Sequence, residues 1–152
     1  MRATFDPPTD PAAYGFCHRL RARFAETDAM GVVHHGAYLP YLESARVEYL
    51  RSLGHPYAAM RDEGIELPVV ELAARYVRPV RFDELVDVHL VVASSSGATM
   101  QLGYLVAVDG EPRATAVTVH GVVATGTGRP TRAPRWLRGL TGSTPHPDRA
   151  RR

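Results

Sequence analysis

Asp28, His34, His35 and Tyr38 fall within one short stretch, Phe24-Ala-Glu-Thr-Asp-Ala-Met-Gly-Val-Val-His-His-Gly-Ala-Tyr38, together with Gly31 and Gly36. An acid just upstream of a helix start has a particular chemical use. The first N–H groups of a helix have no partner inside it, and the positive end of the helix dipole lies behind them. Such groups hold an oxyanion. A carboxylate beside them can act as base or as nucleophile. The competing reading of Asp28 is a loop aspartate that caps its own turn. The His34-His35 pair suggests a metal. Adjacent residues are expected to point apart, however, and no His-Glu-x-x-His spacing accompanies the pair, so no metal is expected.

The elements that must position this stretch are readable from periodicity. Phe16, His18, Leu20, Ala22 and Phe24 alternate with Cys17, Arg19, Arg21 and Arg23, which is a half-buried strand over 16–24. Residues 25–36 read as a loop. Leu39, Leu42, Arg46, Tyr49, Leu50 and Leu53 follow helical spacing over 37–53, with Pro40 tolerable in the first turn and Gly54 as the stop. A short helix is expected over 57–63. Four strands follow, over 67–77, 85–94, 99–108 and 113–125, and Asp109-Gly110 is a hairpin signal between the last two. Strand, long helix and four strands make an α+β layer arrangement, with the helix on one face of an antiparallel sheet. One helix leaves sheet face and edge uncovered, which invites self-association.

The chain has 152 residues, enough for one domain of ordinary size. Residues 1–14 read as a flexible leader, 15–126 as the folded domain and 127–152 as an Arg/Pro-rich tail, with Trp136, Leu137 and Leu140 available to pin the front of the tail. The leader lacks the pattern of a signal peptide, and no apolar run approaches a membrane span. The single cysteine, Cys17, excludes an internal disulfide and fits a reducing cytoplasm. All eighteen basic residues are Arg. They concentrate in the tail, but no nucleic-acid-reading motif accompanies them, so no nucleic-acid partner is expected.

At the stretch described above, Asp-x-x-Gly-Val-Val-x-His-x-x-Tyr followed by Glu-x-x-Arg resembles the hotdog-fold acyl-CoA thioesterases, and within them the 4-hydroxybenzoyl-CoA thioesterase group and its Tol–Pal-associated relatives. Arg-Tyr-Val-Arg-Pro-Val-Arg-Phe-Asp-Glu, 75–84, resembles the same family. The resemblance spans about 17–125. It implies a hotdog fold and hydrolysis of an acyl-CoA or acyl-carrier-protein thioester. It implies Asp28 as general base or nucleophile and His35 as the residue whose backbone N–H meets the thioester carbonyl. Gly36 accompanies it at the helix entrance, Tyr38 lines the site and Glu43 faces the acyl pocket. No cofactor or metal is implied; coenzyme A or phosphopantetheine arrives as part of the substrate. A homodimer or homotetramer is implied, with the pocket at the subunit junction.

Arg78 and Arg81, with Arg75, stand where coenzyme A phosphates could rest, since Arg pairs with phosphate through two hydrogen bonds. Solvated strand-edge arginines are the alternative. For Glu43 the alternative is an ion pair with Arg46 at i, i+3. The rival functions are a hotdog dehydratase or hydratase and a non-catalytic acyl-thioester-binding protein.

Overall fold

The computed structural model describes residues 2–140. The strands are β1 (Phe16–Arg21), β2 (Ile65–Glu66), β3 (Val69–Tyr76), β4 (Leu85–Ser96), β5 (Thr99–Val108), β6 (Glu111–Gly121) and β7 (Val123–Ala124). The helices are α1 (Tyr38–Ser52), α2 (Tyr57–Asp62) and α3 (Arg135–Arg138). Five strands form one antiparallel sheet in the order β1-β4-β5-β6-β3, while β2 pairs with β7. Helix α1 packs against β1 and β4 on the inner face of the sheet.

Local chemistry accounts for much of this. Asp109 and Gly110 both adopt positive φ, as a tight hairpin between twisted strands requires, and they turn β5 into β6. The alternation in β1 holds: Phe16, His18 and Leu20 are the less exposed side. The strand ends at Arg21, earlier than expected. Phe24 leaves the alternation, opens a 3₁₀ turn (Phe24–Glu26) and sits 75% exposed against the Phe82 ring. In α1 the buried stripe is Tyr38, Tyr41, Leu42, Ala45, Arg46, Tyr49 and Leu50. Leu39, expected on that stripe, is instead partly exposed, because Tyr38 and Tyr41 set the phase of the helix. The front of the tail is pinned as expected: Leu137 is buried, and the Trp136 indole stacks on His55 and donates to Glu63. The rest of that segment, 141–152, lies outside the described residues.

Residues 2–14, expected as a loose leader, have a defined place. They run across the outer face of the sheet, away from α1. Ala3 N–H donates to Glu71, Thr4 N–H donates to Gln101, and the Phe5 ring lies over Gly103.

Beneath α1 a polar chain crosses the core. Tyr104 donates to Thr118 Oγ1 (3.2 Å), Thr118 donates to His120 Nε2 (2.8 Å), and His120 Nδ1–H donates to the Leu67 carbonyl (3.1 Å). Arg46 Nη1 reaches the same carbonyl at 3.5 Å. His120 is fully buried, and burial, helped by the Arg46 charge, pushes its imidazole down to about 4 from an ordinary 6.5. Between those values the unfolded chain binds more protons, so stability falls as pH drops through that window. A shift of that size is worth on the order of 3 kcal/mol. The melting temperature should therefore fall more between pH 8 and pH 5 in the wild type than in His120→Asn. Equal falls would assign the acid sensitivity to other groups.

Candidate active site

The loop after β1 is a small hairpin held from two sides. Thr27 bridges Val33, and Val32 bridges Arg81. Val33 N–H donates to the Val80 carbonyl at 2.7 Å, which ties the loop to the segment after β3. Gly31 takes φ +74° at the tip, a conformation that L side chains rarely adopt. Glu26 anchors the base of the loop. It accepts from Tyr41 Oη (2.5 Å), from the Arg23 backbone N–H (2.8 Å) and from Arg23 Nε (2.9 Å). Burial alone would raise the Glu26 carboxyl, but these hydrogen bonds outweigh it and hold it below the ordinary range.

Asp28 does cap its own turn: Oδ1 accepts the Met30 N–H at 2.8 Å. That bond uses one oxygen. The other, Oδ2, has no protein partner among the described residues, and the side chain is half-buried. The turn bond thus orients the carboxylate and leaves its second oxygen available, so the two readings of Asp28 are compatible.

The helix entrance is a 3₁₀ turn (His35–Ala37) running into α1. Its N–H groups are unequally occupied. His34 N–H donates to the Glu26 carbonyl (2.8 Å), Ala37 N–H to the His34 carbonyl (2.8 Å) and Gly36 N–H to His34 Nδ1 (3.1 Å). The His35 N–H has no partner among the described residues. The two imidazoles do not point apart. Their rings lie 4.0 Å from each other, because the His34 ring folds back to take the Gly36 N–H.

A cleft of about 290 Å³ opens here, and its lining includes Asp28, His35, Tyr38, Tyr76, Val77 and Arg78. Four of the residues singled out from sequence, Asp28, His35, Tyr38 and Arg78, thus meet on one cavity. Gly36 stands next to it in the turn. Glu43 and Arg81 are not part of the lining. Glu43 is five residues past Tyr38, which turns it well away around α1, and it pairs with Arg46. Arg81 follows the fully buried Val80, bridges Val32 through its backbone and is exposed. Of the other arginines, Arg78 lies 3.6 Å from Glu111 in an exposed pair. Arg75 lies 3.7 Å from Asp6 on the outer side.

Tyr76 was not singled out by sequence. Its hydroxyl donates to the His35 carbonyl at 3.0 Å, and its ring packs edge-on against Tyr38 with centroids 5.0 Å apart. It lies within the 75–84 stretch, where a lone tyrosine among arginines has no spacing that marks it. Tyr76 holds the far side of the peptide unit next to the free N–H. Tyr76→Phe should lower turnover about two- to tenfold, the worth of one hydrogen bond. The Michaelis constant should stay unchanged, because the ring remains. An unaltered turnover number would mean that this bond does not position the turn.

The described residues contain one mixed cluster of metal-ligand types, Cys17, Asp87 and His89, on β1 and β4. Arg19 already grips Asp87 through two hydrogen bonds (2.7 and 3.0 Å), and burial pushes the Cys17 thiol up to about 11. These residues are therefore a neutral thiol beside a cross-strand ion pair.

A five-stranded antiparallel sheet packed against one long helix is the hotdog arrangement, which solved thioesterases share. Residues 22–140 match the thioesterase-like superfamily, and the chain belongs to it. A hypothetical protein from Aquifex aeolicus superposes with a TM-score of 0.77 at 37% identity, over 82% of this chain and 98% of that one. The DHNA-CoA thioesterase from Staphylococcus aureus superposes with a TM-score of 0.72 at 34% identity, over 76% and 78%. The acyl-CoA thioesterase YbgC of Haemophilus influenzae is 37% identical over 87 residues, which cover 57% of this chain and 64% of that protein. Thioester hydrolysis is the activity that family and fold support.

Proposed function

We propose that the protein hydrolyses the thioester of an acyl-CoA, or of an acyl chain on a carrier protein, at the Asp28–His35 cleft. The observation that carries this reading is the pairing of two unspent groups on one cavity: Asp28 Oδ2 and the His35 N–H. The carboxylate takes a proton from a water molecule whose oxygen adds to the thioester carbonyl. The oxyanion that develops is held by the His35 N–H at the positive end of α1. The C–S bond then breaks, and the thiolate leaves with the proton. Tyr38, Tyr76 and Val77 give the cleft apolar walls for the acyl part, and Arg78 stands at its rim as a partner for a carrier phosphate. No metal or other cofactor enters this reaction.

The active assembly is a dimer through the edge of β3. That strand pairs with β6 on one side alone. Val70 is 61% exposed and Val77 56%, with Leu72 and Tyr76 also uncovered, so the edge is apolar as well as unpaired. Tyr76 and Arg78 belong to this edge and its continuation, so a second copy here would border the cleft. No described helix is long and apolar enough to cross a membrane.

The test is free-thiol release from a panel of acyl-CoA and acyl-carrier-protein thioesters, with the acid product identified. Hydrolysis of at least one class is expected. Binding without release of thiol from any of them would leave an acyl-thioester-binding protein instead.

A further inference from the structure

His34 engages the helix entrance through three of its groups. Its N–H donates to the Glu26 carbonyl (2.8 Å), its carbonyl accepts the Ala37 N–H (2.8 Å), and its Nδ1 accepts the Gly36 N–H (3.1 Å). Its backbone is extended, with φ −60° and ψ 140°, the conformation of a residue that caps a helix from outside. Serine, threonine, aspartate and asparagine ordinarily fill that position, each with an oxygen. An imidazole replaces them only through an unprotonated ring nitrogen, so Nδ1 accepts and the ring proton sits on Nε2.

The neighbours leave room for that ring. A Cβ placed on Gly36 would stand 3.3 Å from His34 Nδ1 and 3.4 Å from its Cε1, so the glycine is what lets the ring approach the N–H closely. The ring also lies 4.0 Å from the His35 ring, centroid to centroid. His35 lines the cleft, and His34 does not.

The consequence is a selection among donors. The N–H groups of His34, His35, Gly36 and Ala37 follow one another into the turn. Those of His34, Gly36 and Ala37 are occupied, and each of these bonds is made by an atom of His34. The His35 N–H is the one of the four without a partner among the described residues. We propose that His34 is a positioning residue for the hydrolysis: its imidazole occupies the Gly36 N–H and so holds the turn with the His35 N–H as the free donor for the thioester oxyanion. The inference rests on the hydrolytic reading of the Asp28–His35 cleft. A donor fixed in advance toward developing charge stabilises it without reorganisation at the moment of reaction. Releasing the Gly36 N–H loosens the turn next to that donor. Because His34 does not line the cleft, its effect falls on turnover rather than on binding.

Three substitutions separate the cap from the ring contact. His34→Asn keeps an acceptor at the cap and removes the ring. His34→Phe keeps a ring beside His35 and removes the acceptor. His34→Ala removes both. The position is exposed, so all three should fold. With a thioester that the wild type hydrolyses, His34→Ala and His34→Phe should lose turnover about three- to tenfold, with the Michaelis constant unchanged. His34→Asn should stay within about twofold of the wild type. Amide exchange followed by NMR reads the bond itself. The Gly36 amide should exchange about fivefold faster, or more, in His34→Ala and His34→Phe than in the wild type or His34→Asn. Wild-type turnover in His34→Ala overturns the proposal, as does a loss in His34→Asn equal to that in His34→Ala. Retained turnover in His34→Phe would assign the effect to the ring contact, and a change confined to the Michaelis constant would assign it to substrate binding; either overturns the proposal. So does a Gly36 exchange rate that none of the substitutions alters. Failure of the hydrolytic reading looks different: the wild type itself then releases no thiol, and the proposal falls with it whatever the Gly36 exchange rate.

Discussion

Asp28→Asn should lower the turnover number by about 10²–10⁴, the usual contribution of a positioned general base. The Michaelis constant should change little, because the loss falls on the transition state. The substitution is a fair test because Asn retains an oxygen for the Met30 N–H that now donates to Asp28 Oδ1, so the turn should persist. What disappears is the charge and basicity of the second oxygen. Glu26, two residues away in sequence, offers itself as a control carboxylate. The structure disqualifies it, since Glu26 ties Tyr41 and Arg23 to the base of the loop. Glu48, half-exposed on α1 and paired with Arg51, serves instead. Glu48→Gln should keep its activity. Retention of more than about a tenth of wild-type turnover by Asp28→Asn, below the low end of the range for a general base, would move the base elsewhere. Single-turnover hydrolysis in ¹⁸O-water then tests the nucleophilic role of Asp28. Label in the Asp28 carboxylate requires an anhydride on Oδ2 opened at that carboxyl, whereas direct attack by water, like opening of an anhydride at its acyl carbon, labels the acid product alone.

Placing two charges on the β3 edge should dissociate the protein and remove most of its activity. Leu72 lies in register with Thr118, and Val70 is the extra residue where the β3–β6 register shifts between Val69 and Glu71, next to Gly121. Both are exposed in the single chain, and Val70→Lys with Leu72→Lys should leave the protomer folded. Light scattering should then give 16.6 kDa, the mass of one chain. Turnover should fall about tenfold or more, equivalent to some 1.4 kcal/mol of lost transition-state stabilisation. The reason is proximity: Tyr76, Val77 and Arg78 line the cleft and continue directly from this edge. A monomer of full activity would refute the dependence of the site on the edge. A dimer that survives both lysines would place the interface elsewhere.

The layout of the stretch proposed to be catalytic was legible because it is local. Asp28, His35 and Tyr38 lie on one strand–loop–helix connection, and their relative placement follows from Gly31 at the tip and the helix start at 35–38. The Asp109-Gly110 hairpin was legible for the same reason, since two residues with positive φ settle it without reference to the rest of the chain. The order of elements and the hotdog arrangement follow from the periodicity of successive segments together with the resemblance of the 24–46 and 75–84 stretches to thioesterases.

Other features depended on contacts between residues far apart in the chain. The role of Tyr76 rests on a hydrogen bond across 41 positions, made possible by the Val33–Val80 bond that draws the end of β3 to the loop. Glu43 and Arg81 have the right residue types, but neither lines the cleft: helix phase turns Glu43 away, and Arg81 is exposed beyond its backbone bridge to Val32. The N-terminal segment looked loose because its composition is polar and proline-rich. Its place rests on Phe5 meeting Gly103, Thr4 meeting Gln101 and Ala3 meeting Glu71. Sequence by itself determined the turns, the periodic elements and the layout of the 24–38 stretch, because those are set by neighbours within a few residues. Tertiary structure alone decided which distant side chains share the cleft and what covers the sheet, because those depend on strand pairing that brings remote residues into contact.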